Sequence, residues 1–239
     1  PESYLANTEV EYQEFLRSYA LTYLEKEIQQ EQWVRKLDPF RRFLGVASQM
    51  NGKVLNFSQI ARDVGVDDMT VKSYFEILTD TLMGFPLPSF DRSVRKQQVK
   101  AQKYYLIDPG IKRALDRTLQ VPLLPQTSAY GEAFEHWVIL EFYKAASYRR
   151  ADWRFSYLRT KDDVEIDLVI ERPGKPLLLV EIKSKNRVTE SDAKALETLG
   201  KDTDPKSTRV LLSNDPLPRR FGGTEAMHWK EAVHDLIDR

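Results

Sequence analysis

The sequence predicts a two-domain chain of α+β and α/β character: a helical winged-helix domain over residues 1–120, then an αβββαβ domain over residues 121–239. Three observations predict it. Apolar residues recur at helical spacing through most of the first half. Apolar–polar alternation of period two dominates the second half. Between them lies a Pro-punctuated stretch, Val121 to Ser128, which reads as a linker.

In the first domain, Tyr12 to Glu31 is rich in helix formers, with Tyr12, Phe15, Leu16, Tyr19 and Tyr23 at helical spacing. Asp38-Pro39 is a helix start, with Asp as N-cap and Pro in the first turn, and the segment runs to Gln49 before Asn51-Gly52. A short helix capped by Ser58 should turn Ile60, Ala61 and Val64 inward. Gly65 supplies the turn, and a second helix from near Asp68 should bury Val71, Tyr74, Phe75 and Leu78. This is helix-turn-helix grammar. Residues 82–107 are extended and end in Tyr104-Tyr105-Leu106-Ile107, so a hairpin follows the two helices, as in a winged helix.

The second domain opens with Tyr130 to Ser147, a helix apolar on much of its circumference and suited to lying against a sheet. Three strands follow, Trp153–Arg159, Val164–Glu171 and Leu177–Lys183. Thr189–Leu199 is a helix, Thr208–Ser213 a strand, and Trp229–Ile237 a terminal helix.

Composition narrows what this chain can do. Its 239 residues are 41% hydrophobic and 30% charged, enough for real cores. Net charge is zero, so contact with nucleic acid would have to come from a local patch. The absence of cysteine excludes disulfides, cysteine zinc sites and thiol nucleophiles. No apolar run reaches membrane-spanning length and no secretory leader is visible, so the expectation is a cytoplasmic protein without a membrane partner. A first residue of Pro in place of Met suggests a fragment of a longer polypeptide.

The chemistry lies in the second domain. Glu165 and Asp167 alternate with Val164, Ile166, Leu168 and Ile170, while Leu179, Glu181 and Lys183 alternate with Leu178, Val180 and Ile182. If the hairpin turns about Gly174, position i lies opposite position 348 minus i, and Asp167 faces Glu181. Facing carboxylates repel, and a hard divalent cation, Mg²⁺ or Mn²⁺, is the expected remedy, with Asp167 and Glu181 as its ligands. Lys183 could orient a water or neutralise charge on a phosphodiester, and Glu135 on the preceding helix could complete the site. The bland alternative is a solvated hairpin face carrying a weak surface ion pair.

Gly131-Glu132-Ala133-Phe134-Glu135, Tyr157-Leu158-Arg159-Thr160 through Glu165-Ile166-Asp167, and Val180-Glu181-Ile182-Lys183-Ser184 together resemble a known domain. It is the C-terminal PD-(D/E)XK, restriction-endonuclease-like domain of a family of archaeal and bacterial AAA-type ATPases of poorly defined function. Tyr23-Leu24-Glu25-Lys26-Glu27-Ile28, Leu55 to Ala61 and Thr70 to Tyr74 resemble that family's winged-helix segment. The resemblance implies Glu135, Asp167, Glu181 and Lys183 as a nuclease constellation, with Arg159 and Glu165 as motif neighbours. It also implies a P-loop ATPase domain as a covalent N-terminal partner. This chain has no G-x-x-x-x-G-K-[ST] motif, so no ATP site is assigned to it.

DNA is the expected substrate, with RNA as a third possibility. In the second helix of the helix-turn-helix, Thr70, Lys72 and Ser73 are the polar candidates for a major groove, although Asp67 and Asp68 beside them suit a helix cap better than a phosphate. The wing is the better electrostatic candidate. Arg92, Arg95, Lys96, Lys100, Lys103, Lys112, Arg113 and Arg117 stand there against Asp108 and Asp116. Arg159 joins Lys72 and the wing cations as a phosphate contact. The histidines have no metal-ligand spacing, and the Trp and Tyr residues read as core. The expected function is therefore a metal-dependent, DNA-binding nuclease-like module of a larger ATPase. The alternative is a catalytically inactive module that docks DNA or protein.

Overall fold

A computed structural model describes residues 8–20, 37–91 and 101–238. The chain divides into two compact units, with the main change at Pro122–Leu123, although residues from Leu87 to Asp91 belong to the second unit.

The first unit holds helices α1 (Glu9–Ser18), α2 (Leu37–Gln49), α3 (Phe57–Val64), α4 (Asp68–Asp80) and α5 (Pro109–Leu115). A two-stranded sheet joins β1 (Gly84–Leu87) to β2 (Lys103–Leu106). Local chemistry sets the helix ends. Thr8 and Glu11 form a reciprocal capping box at α1. The cap of α3 is Asn56, not Ser58: its side chain accepts the Gln59 N–H at 3.1 Å. Asn56 has the extended backbone a cap requires, whereas Ser58 is already inside the helix. Gly65 ends α3 at φ 78°, a left-handed conformation that a side chain would strain. Asp67 caps α4 and accepts both the backbone N–H and the hydroxyl of Thr70. The Thr70 hydroxyl is therefore committed to the cap and is removed from the groove-facing candidates.

Between these helices the buried faces are those that the periodicity predicts: Ile60, Ala61 and Val64 on α3, and Val71, Tyr74, Phe75 and Leu78 on α4. Phe40 meets Tyr74 edge-on at 5.0 Å and Phe43 meets Phe75 edge-on at 4.9 Å, the geometry that ring quadrupoles favour.

Past β2, Asp108-Pro109 starts helix α5, an element beyond those that the periodicity predicts. Lys112 and Arg113 are thus helical rather than wing residues. Lys112 pairs with Asp116 at 2.6 Å, and Arg113 donates to the carbonyls of Thr118, Leu119 and Val121. Residues 21–36 and 92–100 lie outside the described residues. The second half of the predicted first helix and the tip of the predicted wing fall among them.

The second unit is built on a six-stranded mixed sheet in the order β3-β4-β5-β6-β8-β7. Helix α6 (Ser128–Tyr148) precedes β3 (Arg154–Arg159), β4 (Glu165–Glu171) and β5 (Leu178–Lys183), in which β4 runs antiparallel to both of its neighbours. Helix α7 (Glu190–Thr203) then crosses over to β6 (Thr208–Ser213), parallel to β5. A hairpin of β7 (Arg219–Phe221) and β8 (Thr224–His228), also missed from sequence, extends the sheet, with β8 parallel to β6. Helix α8 (Trp229–Asp238) closes the chain.

Ala193 and Leu196 of α7 pack with Val169, Leu179, Leu211 and Ala226 on one face of the sheet. Residues of the opposite parity, such as Leu178, Val180 and Leu212, are equally buried, and α6 and α8 are the helices that cover them. Burial on both faces explains why Leu168-Val169-Ile170 and Leu178-Leu179-Val180 are apolar at consecutive positions, where the alternation elsewhere in these strands predicts one solvated face.

Register carries the functional consequence. Arg172-Pro173-Gly174-Lys175 is a turn closed by the Lys175 N–H on the Arg172 carbonyl, and Gly174 has φ 75°. The strands then pair Leu168 with Val180, Val169 with Leu179 and Ile170 with Leu178, the register predicted from a turn at Gly174. A bulge between Ser156 and Leu158 leaves Tyr157 out of the β3–β4 ladder. Its backbone instead pairs outward with Pro88 and Phe90, so a returning segment covers the edge of β3.

Candidate active site

Asp167 sits where the β4–β5 ladder stops. Its carboxylate takes the place of a backbone acceptor, receiving the Ile182 N–H at 2.8 Å from the opposite strand. Asp167 is thereby fixed beside the Glu181–Lys183 segment of β5. Glu181 and Lys183, two residues apart on that strand, form an ion pair of 2.5 Å between Lys183 Nζ and Glu181 Oε1. Asp167 and Glu181 are buried, while about a third of the Lys183 side chain, 34%, remains exposed. The other carboxylate oxygen of Glu181, Oε2, is buried with no hydrogen-bond partner among the described residues.

The electrostatics are those of too much negative charge in too little water. Burial, then the neighbouring Glu181 and Glu135 charges, push the Asp167 carboxyl well above the usual range. Burial also raises Glu181, against the pull of Lys183. For Lys183, burial alone would favour the neutral amine. Asp167, Glu181 and Glu135 together override it and hold the ammonium above its ordinary value. Glu135 of α6 thus acts on all three groups. The first turn of α6 is close to the end of β5, since a Cβ at Gly131 would lie 3.8 Å from the Ser184 hydroxyl.

These donors fit a hard divalent cation in kind: two buried carboxylates, one with an orphaned oxygen. Among the described residues there is no ready-made group of three or more Asp, Glu, His or Cys side chains around one point. A cation here would take protein oxygens from Asp167 and Glu181 and fill its other positions with water or phosphate, as Mg²⁺ commonly does.

Of the predicted phosphate contacts, Lys72, Lys103 and Arg159 fall among the described residues. Lys72 extends over the Phe57 ring at 5.6 Å and is half-buried. Lys103, expected in contact with phosphate, is instead 4% exposed within β2 and is not displayed for such a contact. The compact two-stranded sheet buries a position that composition alone assigned to solvent. Arg159 binds Asp163 at 3.0 Å and approaches Glu165 at 3.9 Å. Arg92, Arg95, Lys96 and Lys100 lie outside the described residues. His136 is buried and His228 accepts the Lys230 N–H, both structural roles. Two aromatic residues expected in the core face water: Trp137 is 42% exposed, and Tyr148, at the end of α6, is more exposed still. The apolar run Trp137–Leu140 hid Trp137, because a helix apolar on most sides gives no signal of which side faces water.

Among the described residues no helix is long and apolar enough to cross a membrane. Two curated relatives, an uncharacterized protein of Mycobacterium bovis (Mb2031c) and one of Mycobacterium tuberculosis (Rv2008c), are each 27% identical over 179 residues. The match covers 74% of this chain and 39% of each relative, so the chain spans well under half the length of the proteins it matches. No solved structure gives a significant match. Residues 130–231 match the model of a domain of unknown function, DUF4143. Residues 1–121, just over half of the chain, match that of the domain of unknown function DUF8612, and the chain belongs to that family.

Proposed function

We propose that this chain is a metal-dependent, DNA-binding nuclease module of a larger protein, with a winged-helix first unit and a PD-(D/E)XK, restriction-endonuclease-like second unit. The observation that carries the reading is the buried, charge-stressed Asp167 beside the Glu181–Lys183 pair at a strand end. Asp167 and Glu181 would hold Mg²⁺ or Mn²⁺. When bound, that ion supplies Lewis acidity toward a phosphodiester and acidifies water. Lys183, partly exposed, would orient the attacking water or offset charge developing on phosphate. Glu135 adds negative charge that supports cation binding, and the surrounding apolar strands keep bulk water from the carboxylates. The greater length of the mycobacterial relatives leaves room for the P-loop ATPase domain that the family resemblance implies.

Incubation of plasmid and branched DNA with Mg²⁺ or Mn²⁺ tests the proposal. We expect cleavage by the full-length parent protein, reduced at least a hundredfold by Asp167→Ala. No cleavage by the parent, or equal cleavage by the variant, would sink it.

A second reading keeps the nuclease fold but drops the chemistry, leaving a module that docks DNA or protein for an ATPase. The closed Lys183–Glu181 pair favours it, because Lys183 already supplies a cation to one of the two carboxylates. Titration with Mn²⁺ separates the two readings, since a docking module has no need of metal.

A further inference from the structure

A strand of phosphodiesters would meet a repulsive site here. Besides Asp167 and Glu181, the charges of Glu135 and Glu165 bear on it, against the ammonium of Lys183. Even a bound divalent ion would leave the cluster one formal charge on the negative side. A polyanion held there needs cations on the surrounding surface. The two segments that flank the site differ in sign. Because β4 is antiparallel to β5, it starts at the edge of the sheet where β5 ends, so the β3–β4 turn and the β5–α7 loop share that edge. In the turn, Asp162 and Asp163 are exposed beside Lys161, and Arg159 is engaged by Asp163 and Glu165. The β5–α7 loop carries Lys185 and Arg187, both exposed. Lys183 and Lys185 are each tied to a carboxylate, Glu181 and Asp192, at 2.5 Å. Arg187 has no carboxylate partner among the described residues; the nearest acid in sequence is Glu190, also exposed.

The loop that carries Arg187 is fastened on both sides. Lys183 of β5 pairs in register with Ser213 of β6, and Asn214 continues that pairing past both strand ends. Its backbone N–H donates to the Lys185 carbonyl at 3.0 Å and its side-chain amide to the Ser184 carbonyl at 3.3 Å. On the far side, Asp215 receives the Val188 N–H at 3.1 Å and Asp192 receives the Thr189 N–H at 2.9 Å. Asn186 and Arg187 are left as the projecting tip. Chain length fixes how far that tip is from the chemistry. Arg187 is four positions beyond Lys183, so their Cα atoms lie at most about 14 Å apart. At about 3.4 Å per nucleotide of duplex, that span covers no more than about four nucleotides. A guanidinium matches the oxygens of a phosphate with paired N–H donors.

We infer that Arg187 holds a backbone phosphate of the bound DNA strand near the cleaved bond, so that the strand leaves the site over the β5–α7 loop and not over the β3–β4 turn. This rests on the nuclease reading above and adds to it a path for the substrate and a binding residue outside the carboxylate cluster.

Fluorescence anisotropy of a labelled DNA duplex with the whole chain, followed over a range of salt in EDTA, reads the contact apart from metal and cleavage. An Asp167→Asn background lightens the carboxylate charge for this measurement. Arg187→Gln should reduce the slope of log affinity against log salt by about one, the share of a single phosphate. Arg187→Lys, which keeps the charge, should restore most of that slope. Lys206→Gln removes an exposed cation ahead of β6, at the opposite edge of the sheet, and should leave the slope unchanged. In the full-length parent, Arg187→Gln should raise the KM for cleavage about tenfold at unchanged kcat, the sign of binding lost equally from ground and transition states. Absence of DNA binding, a slope indifferent to Arg187→Gln, or an equal change in Lys206→Gln overturns the contact. Asp167-dependent cleavage that is indifferent to Arg187 removes the contact and leaves the nuclease. An Arg187-dependent slope without cleavage removes the nuclease and leaves the phosphate contact.

Discussion

Asp167, Glu181 and Lys183 set a conflict that pH and metal should both expose. The two carboxyls have raised pKa values in the folded chain, so the folded state holds more protons than the unfolded state between their ordinary and raised values. Stability should therefore fall as pH rises through that window, with the full penalty present above it. Lys183 contributes stability in place of a penalty: its raised value stabilises the folded state below the unfolded lysine pKa, and this contribution too is lost as pH rises toward and through the raised value. At neutral pH the metal-free protein carries the carboxylate penalty, which Mn²⁺ would relieve. We expect thermal shifts with Mn²⁺ to be larger at pH 8 than at pH 5, and to vanish in Asp167→Asn. A shift independent of pH would mean that the ion binds elsewhere. Lys183→Met should destabilise the chain by about 1–3 kcal/mol at neutral pH in urea unfolding. That is less than a fully buried pair would cost, because the ammonium is partly exposed.

At the level of elements, short-range signals were the most legible. The inward faces of α3 and α4 follow from the spacing of Ile60, Val64, Val71 and Phe75, and the β4–β5 register follows from a turn centred on Gly174. The cap of α3 was misplaced because Asn56 and Ser58 are both good caps, and only the backbone shows which residue precedes the first turn. Asn56→Ala should cost about 1 kcal/mol of stability and Ser58→Ala much less, a contrast that denaturant titration resolves. In the second unit, Leu196→Ala should cost about 2–5 kcal/mol by opening a cavity between α7 and the sheet. The β7–β8 hairpin escaped notice because its strands are short and its Arg219 and Arg220 look like solvent-facing loop. It is held by neighbours far away in sequence: Glu197 of α7 accepts the Gly223 N–H and the Thr224 hydroxyl.

For the whole molecule, zero net charge means that any DNA affinity depends on a few local cations. We expect the slope of log affinity against log salt to be shallow and to fall by about one for each true phosphate contact removed. Lys72→Ala tests this for the first unit, and an unchanged slope would assign Lys72 to packing on Phe57 alone.

The sequence by itself determined where the carboxylates meet, since strand alternation and one turn place Asp167 against the Glu181–Lys183 segment without any distant contact. Only the tertiary structure decided which side chains reach solvent. Lys103 is buried in a small sheet, and Trp137 faces outward from a helix that is apolar nearly all round. Alternation and turns are properties of consecutive residues. Exposure depends on which other elements arrive, and those contacts join positions that no local pattern relates.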